Sequence, residues 1–211
     1  MMTVKSFAFN PFQENTYIVF DETKECIIID PGCYSEQERN ILSSFIEDND
    51  LTPVRLINTH CHLDHICGNA FVVNKYNLKL EANKEELPIL KHAPISAKNY
   101  GFPMEDSPEI EIFLDEKDVI KFGKSKLSIL FTPGHSPGSI SFYSEKELFV
   151  IAGDVLFRQG IGRTDLPLGD YDTLINSINQ KLFTLPKKTT VYSGHGPTTT
   201  IGYELVNNPF F

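Results

Sequence analysis

The chain has 211 residues, of which 41% are hydrophobic and 22% charged, a composition typical of a soluble globular protein with one sizeable core. Its formal net charge is −9, which argues against nucleic acid as a partner, because phosphate binding relies on Lys and Arg. No apolar run approaches the ~20 residues that a membrane helix needs, so we expect no membrane partner.

The first ten residues, MMTVKSFAFN, lack the basic region and long apolar core of a secretory signal. We therefore expect a cytoplasmic protein whose cysteines, Cys26, Cys33, Cys61 and Cys67, are reduced thiols. A single domain over residues 1–211 is expected, and the oligomeric state is left open.

Short runs rich in β-branched and aromatic residues predict strands along most of the chain. In chain order they cover residues 3–9, 16–20, 25–30, 54–58, 118–122, 126–131, 139–143, 147–153 and 189–193. The helices are fewer and lie between groups of strands, so the order is mixed rather than a regular βαβ alternation. Two sheets covered by helices would fit this order.

Capping signals and apolar stripes predict four helices. They cover residues 35–49, a segment from the histidine cluster through Tyr76, a short segment starting near Asn83, and residues 170–183. In the first of them, Ser35 and Glu38 have the spacing of a capping box. Residues 94–108 show little periodicity and are predicted to form a long loop, either a lid or a plain surface excursion.

The run LINTHCHLDHICGN, residues 56–69, contains half of the six histidines of the chain. It follows a predicted strand, so His60 and His62 lie two residues apart on an extended chain, point the same way and can share one cation. Asp64 and His65 are adjacent at a predicted helix start. Because they point in different directions, they can serve a second cation nearby.

Imidazole and carboxylate suit zinc, iron or manganese, and the cluster supplies only about two ligands per metal. Three later loops offer the rest, namely His135 in FTPGHSPGS, Asp154 in FVIAGDVLF and His195 in VYSGHGP. Each follows a predicted strand and has a glycine beside it, which lets the backbone bend tightly around a ligand. The sequence therefore predicts a site for two divalent metal ions, with zinc as the first choice and iron or manganese as alternatives.

The run THCHLDH matches the His-x-His-x-Asp-His signature of the metallo-β-lactamase-fold hydrolases. PGHSPGS, GDVLF and SGHGP match the later metal motifs of that family in the same order, so the chain resembles the family over nearly its full length. The resemblance implies an α/β (α+β) fold, a four-layer αββα sandwich. It also implies that His60, His62 and His135 hold the first metal, that Asp64, His65 and His195 hold the second, and that Asp154 bridges both.

Within the family, Asp154 resembles the bridging acid of glyoxalase II, whereas true β-lactamases generally lack a carboxylate there, so an antibiotic-degrading role is not expected. Residues 157–170, FRQGIGRTDLPLGD, resemble both the compact bacterial relatives of glyoxalase II and the persulfide dioxygenases. Only sixteen residues follow His195, so the basic residues that hold glutathione in full-length glyoxalase II cannot be placed. The acyl group and the thiol carrier are left open.

The expected function is hydrolysis of a small thioester by a hydroxide that bridges the two metals. Asp64 is the expected catalytic residue, which orients this hydroxide and carries its proton. One alternative is a persulfide dioxygenase with a single iron on His60, His135 and Asp154. The other is a metal-binding protein without catalytic activity.

A few other polar residues are predicted to be structural. Cys61 alternates with the ligand histidines on an extended chain, so its side chain is expected to pack away from the metal. Arg163 and Asp165 are expected to form an ion pair that holds their loop. Asp170 is expected to cap the helix that follows it.

Overall fold

The computed structural model describes residues 1–211, which form two compact units. The first unit comprises residues 1–114 and 121–125, and the second comprises residues 115–120 and 126–211. The assignment of the whole chain to a single domain stays a prediction. None of the helices is both long and apolar enough to cross a bilayer.

Six strands form the sheet of the first unit and lie side by side in chain order. They are β1 (Thr3–Phe9), β2 (Glu14–Phe20), β3 (Glu25–Ile29), β4 (Thr52–Ile57), β5 (Leu80–Ala82) and β6 (Ile112–Phe113). The first three pair antiparallel, and β3 to β6 pair parallel. The parallel pairing brings the carboxyl ends of β3 and β4 to one edge, so Asp30 and the histidine cluster emerge together there.

Four helices accompany this sheet, α1 (Glu36–Asp48), α2 (Leu63–Ile66), α3 (Asn69–Tyr76) and α4 (Leu87–Asn99). The capping box predicted for α1 is confirmed, because Glu38 N donates to Ser35 Oγ at 3.3 Å and Ser35 N donates to the Glu38 carboxylate at 2.8 Å. The apolar face of α1 buries Leu42 and Ile46 in the same core as Ile28 of β3. Local capping and burial therefore favour the same helix.

The helix predicted from the histidine cluster through Tyr76 is two helices, interrupted at Cys67 and Gly68. Gly68 N donates to Pro31 O at 2.7 Å, and a Cβ on Gly68 would lie only 2.5 Å from that oxygen. The close approach of two backbones at this point breaks the helix, and only glycine permits it.

The predicted loop over residues 94–108 is wrong in its first part, because residues 94–99 belong to α4 and Pro94 lies inside this helix. Ile89, Ala93 and Ala97 recur every four residues and are buried, so packing along one stripe overrides the helix-breaking effect of proline. The helix near Asn83 is correspondingly longer than predicted: Asn83 caps a single 3₁₀ turn that leads into the thirteen residues of α4.

The second sheet, most of whose residues belong to the second unit, has the order β14, β13, β10, β9, β8, β7. Its strands in chain order are β7 (Val119–Phe122), β8 (Ser125–Phe131), β9 (Ile140–Ser144), β10 (Phe149–Gly153), β13 (Thr190–Ser193) and β14 (Thr199–Thr200), and a small hairpin is formed by β11 (Leu156–Phe157) and β12 (Gly160–Ile161). β10 and β13 pair parallel, so the residues that follow them share one edge of the sheet.

Two helices accompany the second sheet, α5 (Tyr171–Ser177), which continues into a π-helical turn over Ile178–Leu182, and α6 (Ile201–Asn207). Leu174, Ile178 and Ile201 pack with the strand residues Val150 and Val191 in one buried core. The helix predicted over residues 170–183 is confirmed in extent, whereas α6 and the two-residue strands carry no pattern strong enough for prediction.

Candidate metal centre

A buried carboxylate at the end of β3, Asp30, orients a histidine of the first unit. Asp30 Oδ2 lies 3.1 Å from His65 Nδ1, and Oδ1 accepts a hydrogen bond from Thr59 N at 2.7 Å. Because a carboxylate only accepts hydrogen bonds, His65 Nδ1 carries the proton and the lone pair of the ring is on Nε2. Asp30 has a φ of 49°, a conformation that is uncommon outside glycine and is often found at functional sites.

The same carboxylate also sets the tautomer of His60, through Thr59. The Thr59 hydroxyl donates its single hydrogen to Asp30 Oδ2 at 2.6 Å, so its oxygen accepts from His60 Nδ1, 3.0 Å away. The lone pair of His60 is therefore also on Nε2, the nitrogen that remains to bind a metal. The ring of His60 lies 4.1 Å from that of His65 and 4.9 Å from that of His62, between ring centroids.

Asp30, His60 and His65 offer three potential ligand atoms within 4.8 Å of one another. Both oxygens of Asp30 already accept hydrogen bonds, from Thr59 and from the His65 ring. Asp30 therefore orients the histidines, and the imidazoles remain the candidate metal ligands.

Asp64 and His62 lie at the start of α2. His62 has an extended backbone, with φ −68° and ψ 152°, as the sequence predicts for the residues between β4 and the helix. Asp64 Oδ2 lies 3.8 Å from His65 Nε2, and both Asp64 and His62 are partly exposed. A second carboxylate is therefore available beside the nitrogen that His65 offers to a metal.

A fully buried glutamate, Glu86, holds the backbone between the first two histidines. Its Oε2 accepts a hydrogen bond from Cys61 N at 2.8 Å. This bond holds the backbone in place between His60 and His62. Burial, together with the charges of Glu86 and Asp30, raises the pKa of the Cys61 thiol well above its ordinary value. The thiol stays protonated, and the packing role predicted for Cys61 is confirmed.

A second buried glutamate, Glu14, lies behind His65. Its Oε2 accepts from Thr16 Oγ1 at 2.9 Å, while its Oε1 is 3.7 Å from His65 Nδ1. Burial raises the pKa of this carboxyl well above its ordinary value. The glycine at position 32 makes room for it, since a Cβ there would lie 2.0 Å from Glu14 Oε2.

Three further predicted ligands meet in the second unit. Asp154 Oδ2 lies 3.5 Å from His135 Nε2 and 3.5 Å from His195 Nε2. Two ligands that each lie ~2.0–2.1 Å from one tetrahedral metal ion are about 3.3 Å apart, so both spacings fit a carboxylate oxygen and an imidazole nitrogen that share a cation. Asp154 can serve two imidazoles with one oxygen, which fits the bridging role that the resemblance implies.

Strand pairing and a backbone contact position this second group. Asp154 follows β10 and His195 follows β13, and Gly194 N donates to Gly153 O at 2.7 Å where the two parallel strands end. His135 Nδ1 lies 2.7 Å from the carbonyl oxygen of Arg163, so Nδ1 donates and the lone pair is on Nε2, the nitrogen that faces Asp154.

The loop that supplies this carbonyl is held as predicted. Arg163 and Asp165 form a bidentate ion pair, with Nε and Nη2 each 2.7 Å from a carboxylate oxygen. Hydrogen bonds from Arg163 lower the pKa of Asp165 to about 2. Asp170 accepts from Thr173 N at 2.7 Å and caps α5, also as predicted.

The structure thus groups His60, His62, Asp64 and His65 in the first unit and His135, Asp154 and His195 in the second. The assignment of all seven residues to one two-metal site stays a prediction. Sequence reasoning missed the residues that orient the ligands: Asp30, Thr59, Glu86 and Glu14. The available signals were the aspartate of IIIDPG at a strand end and a charged residue inside the strand pattern of NPFQENTYIVF.

Comparison with known proteins places these clusters in a family context. The model of the metallo-beta-lactamase superfamily matches residues 9–195. A probable metallo-hydrolase, YqgX of Bacillus subtilis, is 39% identical over 201 residues, which cover 95% of this chain and 93% of that protein. The hydroxyacylglutathione hydrolase GloC of Haemophilus influenzae is 37% identical over 212 residues, 99% of this chain and 98% of that protein.

Solved structures agree. The crystal structure of the BLEG-1 B3 metallo-beta-lactamase matches with a TM-score of 0.90 and 37% identity, covering 100% of this chain and 99% of that one. TTHA1623, in a di-iron-bound form, matches with a TM-score of 0.89 and 35% identity, covering 99% and 100% of the two chains. The mixed α/β fold predicted from the sequence, with two sheets flanked by helices, is confirmed.

Proposed function

We propose, because the chain belongs to the metallo-beta-lactamase superfamily, that it cleaves a small thioester with the help of two divalent metal ions. Membership of the family and the His/Asp clusters make it a metal-dependent hydrolase, and the thioester and the second metal are the proposal. The observation that supports a two-metal site most strongly is the position of the Asp154 carboxylate. One of its oxygens, Oδ2, lies 3.5 Å from the Nε2 atoms of both His135 and His195.

The proposed ligand set is the one that the family resemblance implies. The first ion would be held by His60, His62 and His135, the second by Asp64, His65 and His195, and Asp154 would bind both. Zinc is the first choice for such imidazole and carboxylate ligands, with iron or manganese as alternatives. The di-iron form of TTHA1623 shows that a similar protein can hold two iron ions.

A thioester is proposed for two reasons. GloC, which matches this chain over nearly its full length, is named a hydroxyacylglutathione hydrolase. A thiolate is also a good leaving group, so the reaction needs no strong general acid, and the buried thiols of this chain, with their raised pKa values, are unsuited to act as one. Bound metal ions would supply a water of lowered pKa and polarise the thioester carbonyl.

The residues of the chain have distinct roles in this proposal. Asp64 is half-buried at the start of α2, where its carboxylate can orient the attacking water and accept its proton. Asp30 keeps the Nδ1 proton on His65 and, through Thr59, on His60, so both rings present Nε2. We also propose a cytoplasmic location, supported by four buried free thiols.

Metal analysis combined with a substrate panel tests this function. The purified protein is assayed for bound metal and for hydrolysis of several thioesters, including S-lactoylglutathione, with a β-lactam as a second substrate class. We expect about two metals per chain, as in two-metal hydrolases, and turnover of at least one thioester.

The Asp154→Asn variant keeps the shape of the side chain and removes its charge. We expect it to lose the two-metal loading and to hydrolyse thioester at least about a hundredfold more slowly. Asp172→Asn, which changes an exposed aspartate of α5, is the matched control and should behave as the wild type. One bound iron with oxygen uptake, turnover of the β-lactam alone, or full activity of Asp154→Asn would each contradict the proposal.

A further inference from the structure

Four aromatic side chains form a cluster in the first unit, which we call the aromatic cluster: Phe12, Tyr34, Tyr100 and Phe102. Phe102 is stacked on Tyr34, with ring centroids 4.2 Å apart. Phe12 meets Phe102 edge to face at 5.3 Å and Tyr100 at 6.2 Å. Three separate segments of the chain, the β1–β2 turn, the approach to α1 and the end of α4, therefore supply one continuous aromatic surface.

This aromatic cluster is built onto the segment that carries candidate metal ligands. Phe102 packs with Leu63 and Cys67 in a small buried core. Leu63 is the residue between His62 and Asp64. Its packing with Phe102 therefore places the aromatic cluster next to the segment that carries two of the proposed ligands.

Hydrogen bonds fix the turn that carries Phe12 to the same segment. Asn10 Nδ2 donates to the backbone oxygens of Asp64 and Gly32, at 3.0 Å in each case. Asn10 Oδ1 in turn accepts from Phe12 N at 3.0 Å. The position of the Phe12 ring is therefore tied to the backbone of Asp64, the proposed proton carrier.

The aromatic cluster has a buried base and an exposed rim. Phe102 is 5% exposed, whereas Phe12 is 38% and Tyr100 is 57% exposed. Aromatic rings held in place by buried neighbours lose little conformational entropy when an apolar group covers them, so such a rim favours apolar ligands. The contacts that hold this surface together are between aromatic rings, which suits an alkyl or aryl group.

We propose that the aromatic cluster binds an apolar group of the substrate, so that this hydrolase selects thioesters with an alkyl or aryl arm. This inference rests on the proposed function, because it identifies the class of thioester that the same site accepts. The metal ions that His62 and Asp64 help to hold would polarise the thioester carbonyl, and Phe12 and Tyr100 would cover the arm that extends from it.

Binding of inert substrate analogues tests the inference without the need for turnover. The probes are the S-ethyl, S-butyl and S-octyl thioethers of N-acetylcysteamine, which have no carbonyl at the sulfur and cannot be hydrolysed there. Their affinities for the metal-loaded protein are measured by calorimetry. We expect each buried methylene to strengthen binding up to about fourfold, and the S-octyl probe to bind at least about tenfold more tightly than the S-ethyl probe.

Phe12→Ala and Tyr100→Ala remove the exposed rim and leave the buried base intact. Each should weaken S-octyl binding about fivefold or more while S-ethyl binding changes less than about twofold. Phe113→Ala is the matched control, since Phe113 is 52% exposed on β6 and lies outside the aromatic cluster. It should bind all three probes as the wild type does. If Phe12→Ala does not fold, Tyr100→Ala decides the question alone.

The two proposals fail in different ways. An unchanged chain-length dependence in Phe12→Ala and Tyr100→Ala, or no chain-length dependence in the wild type, overturns the role of the aromatic cluster even if thioesters are hydrolysed. A wild type that binds the probes as expected but hydrolyses no thioester overturns the proposed function. In an active enzyme, the same two variants should raise KM for long-chain acyl thioesters and leave kcat within about twofold.

Discussion

At the scale of single residues, the tautomers of two candidate ligands, His60 and His65, depend on one carboxylate. Asp30 accepts from Thr59 and from His65, and through the Thr59 hydroxyl it also determines which nitrogen of His60 carries the proton. Residues that hydrogen-bond to metal ligands in this way are often as important for metal binding as the ligands themselves.

Replacement of Asp30 by Asn tests this role. An amide would turn its nitrogen towards the Thr59 hydroxyl and the His65 ring, or else towards the backbone N–H of Thr59, so at least one donor would lose its acceptor. We expect metal affinity to fall about 10- to 100-fold. Competition with a chromogenic chelator measures it. Asp21→Asn, another buried aspartate with no contact to a candidate ligand, is the control, and equal affinities in the two variants would contradict the assignment.

Four of the candidate ligands could be predicted because their spacing is local, whereas the residues that orient them could not. His60, His62, Asp64 and His65 fall within six positions of the sequence. His65 meets Asp30 across 35 positions, and Cys61 meets Glu86 across 25. Contacts over such separations depend on the pairing of β3, β4 and β5, which periodicity in one chain segment does not reveal.

At the scale of elements, helix α4 shows where local rules were overridden. Pro94 lies inside the helix, removes one backbone hydrogen bond and is itself exposed. The helix persists because Ile89, Ala93 and Ala97 bury one stripe of it. Pro94 therefore lowers the stability of α4, and its replacement should remove this cost.

We expect Pro94→Ala to raise the free energy of unfolding by about 1–2 kcal/mol, since the gain within the helix exceeds the added entropy of the unfolded chain. Urea denaturation measures the change. Pro88→Ala is the matched control, because Pro88 is exposed in the first turn of the same helix, where proline is tolerated. The account of α4 would be wrong if Pro94→Ala destabilised the protein or if the two variants behaved alike.

Asp21 ties the turn after β2 to the turn before β8. Its carboxylate accepts from Thr23 N and Oγ1, from Lys124 N and from Ser125 Oγ, at 2.6–2.9 Å. Burial raises the pKa of this carboxyl, but the hydrogen bonds from Thr23, Ser125 and Lys124 outweigh it, and the net pKa lies well below the ordinary value of 3.8.

A lowered pKa means that the ionised carboxylate stabilises the folded state. This stabilisation is fully present above the ordinary pKa of 3.8 and is lost as the pH falls below it. We expect Asp21→Asn to cost about 1–3 kcal/mol at neutral pH, because the amide leaves a donor without an acceptor. Denaturation at several pH values should show the difference between wild type and variant shrinking below about pH 4. A difference independent of pH would show that the charge has no part in it.

The longer strands and α1 could be predicted, since each carries its own alternating or helical pattern. β5, β6, β11, β12 and β14 have only two or three residues, too few for any period to be visible. The Gly68 interruption was also hidden, because it results from the approach of Pro31, a residue 37 positions earlier in the sequence.

At the scale of the whole molecule, metal binding should be linked to folding. The candidate ligands come from several loops, and a metal that binds the folded chain alone stabilises it by about 2.7 kcal/mol at a hundred times its dissociation constant. We expect removal of metal with a chelator to lower the thermal unfolding midpoint by several degrees, and excess zinc, iron or manganese to restore it. The Asp154→Asn variant should show a smaller restoration. An unfolding midpoint that is the same with and without metal would contradict this linkage.

The most direct test of the two-metal site is anomalous X-ray diffraction from crystals of the metal-loaded protein, recorded on both sides of the absorption edge of the bound metal. We expect two anomalous peaks a few ångströms apart, as in other two-metal hydrolases, with the Asp154 carboxylate in contact with both. A single peak, or two peaks of which only one touches Asp154, would contradict it.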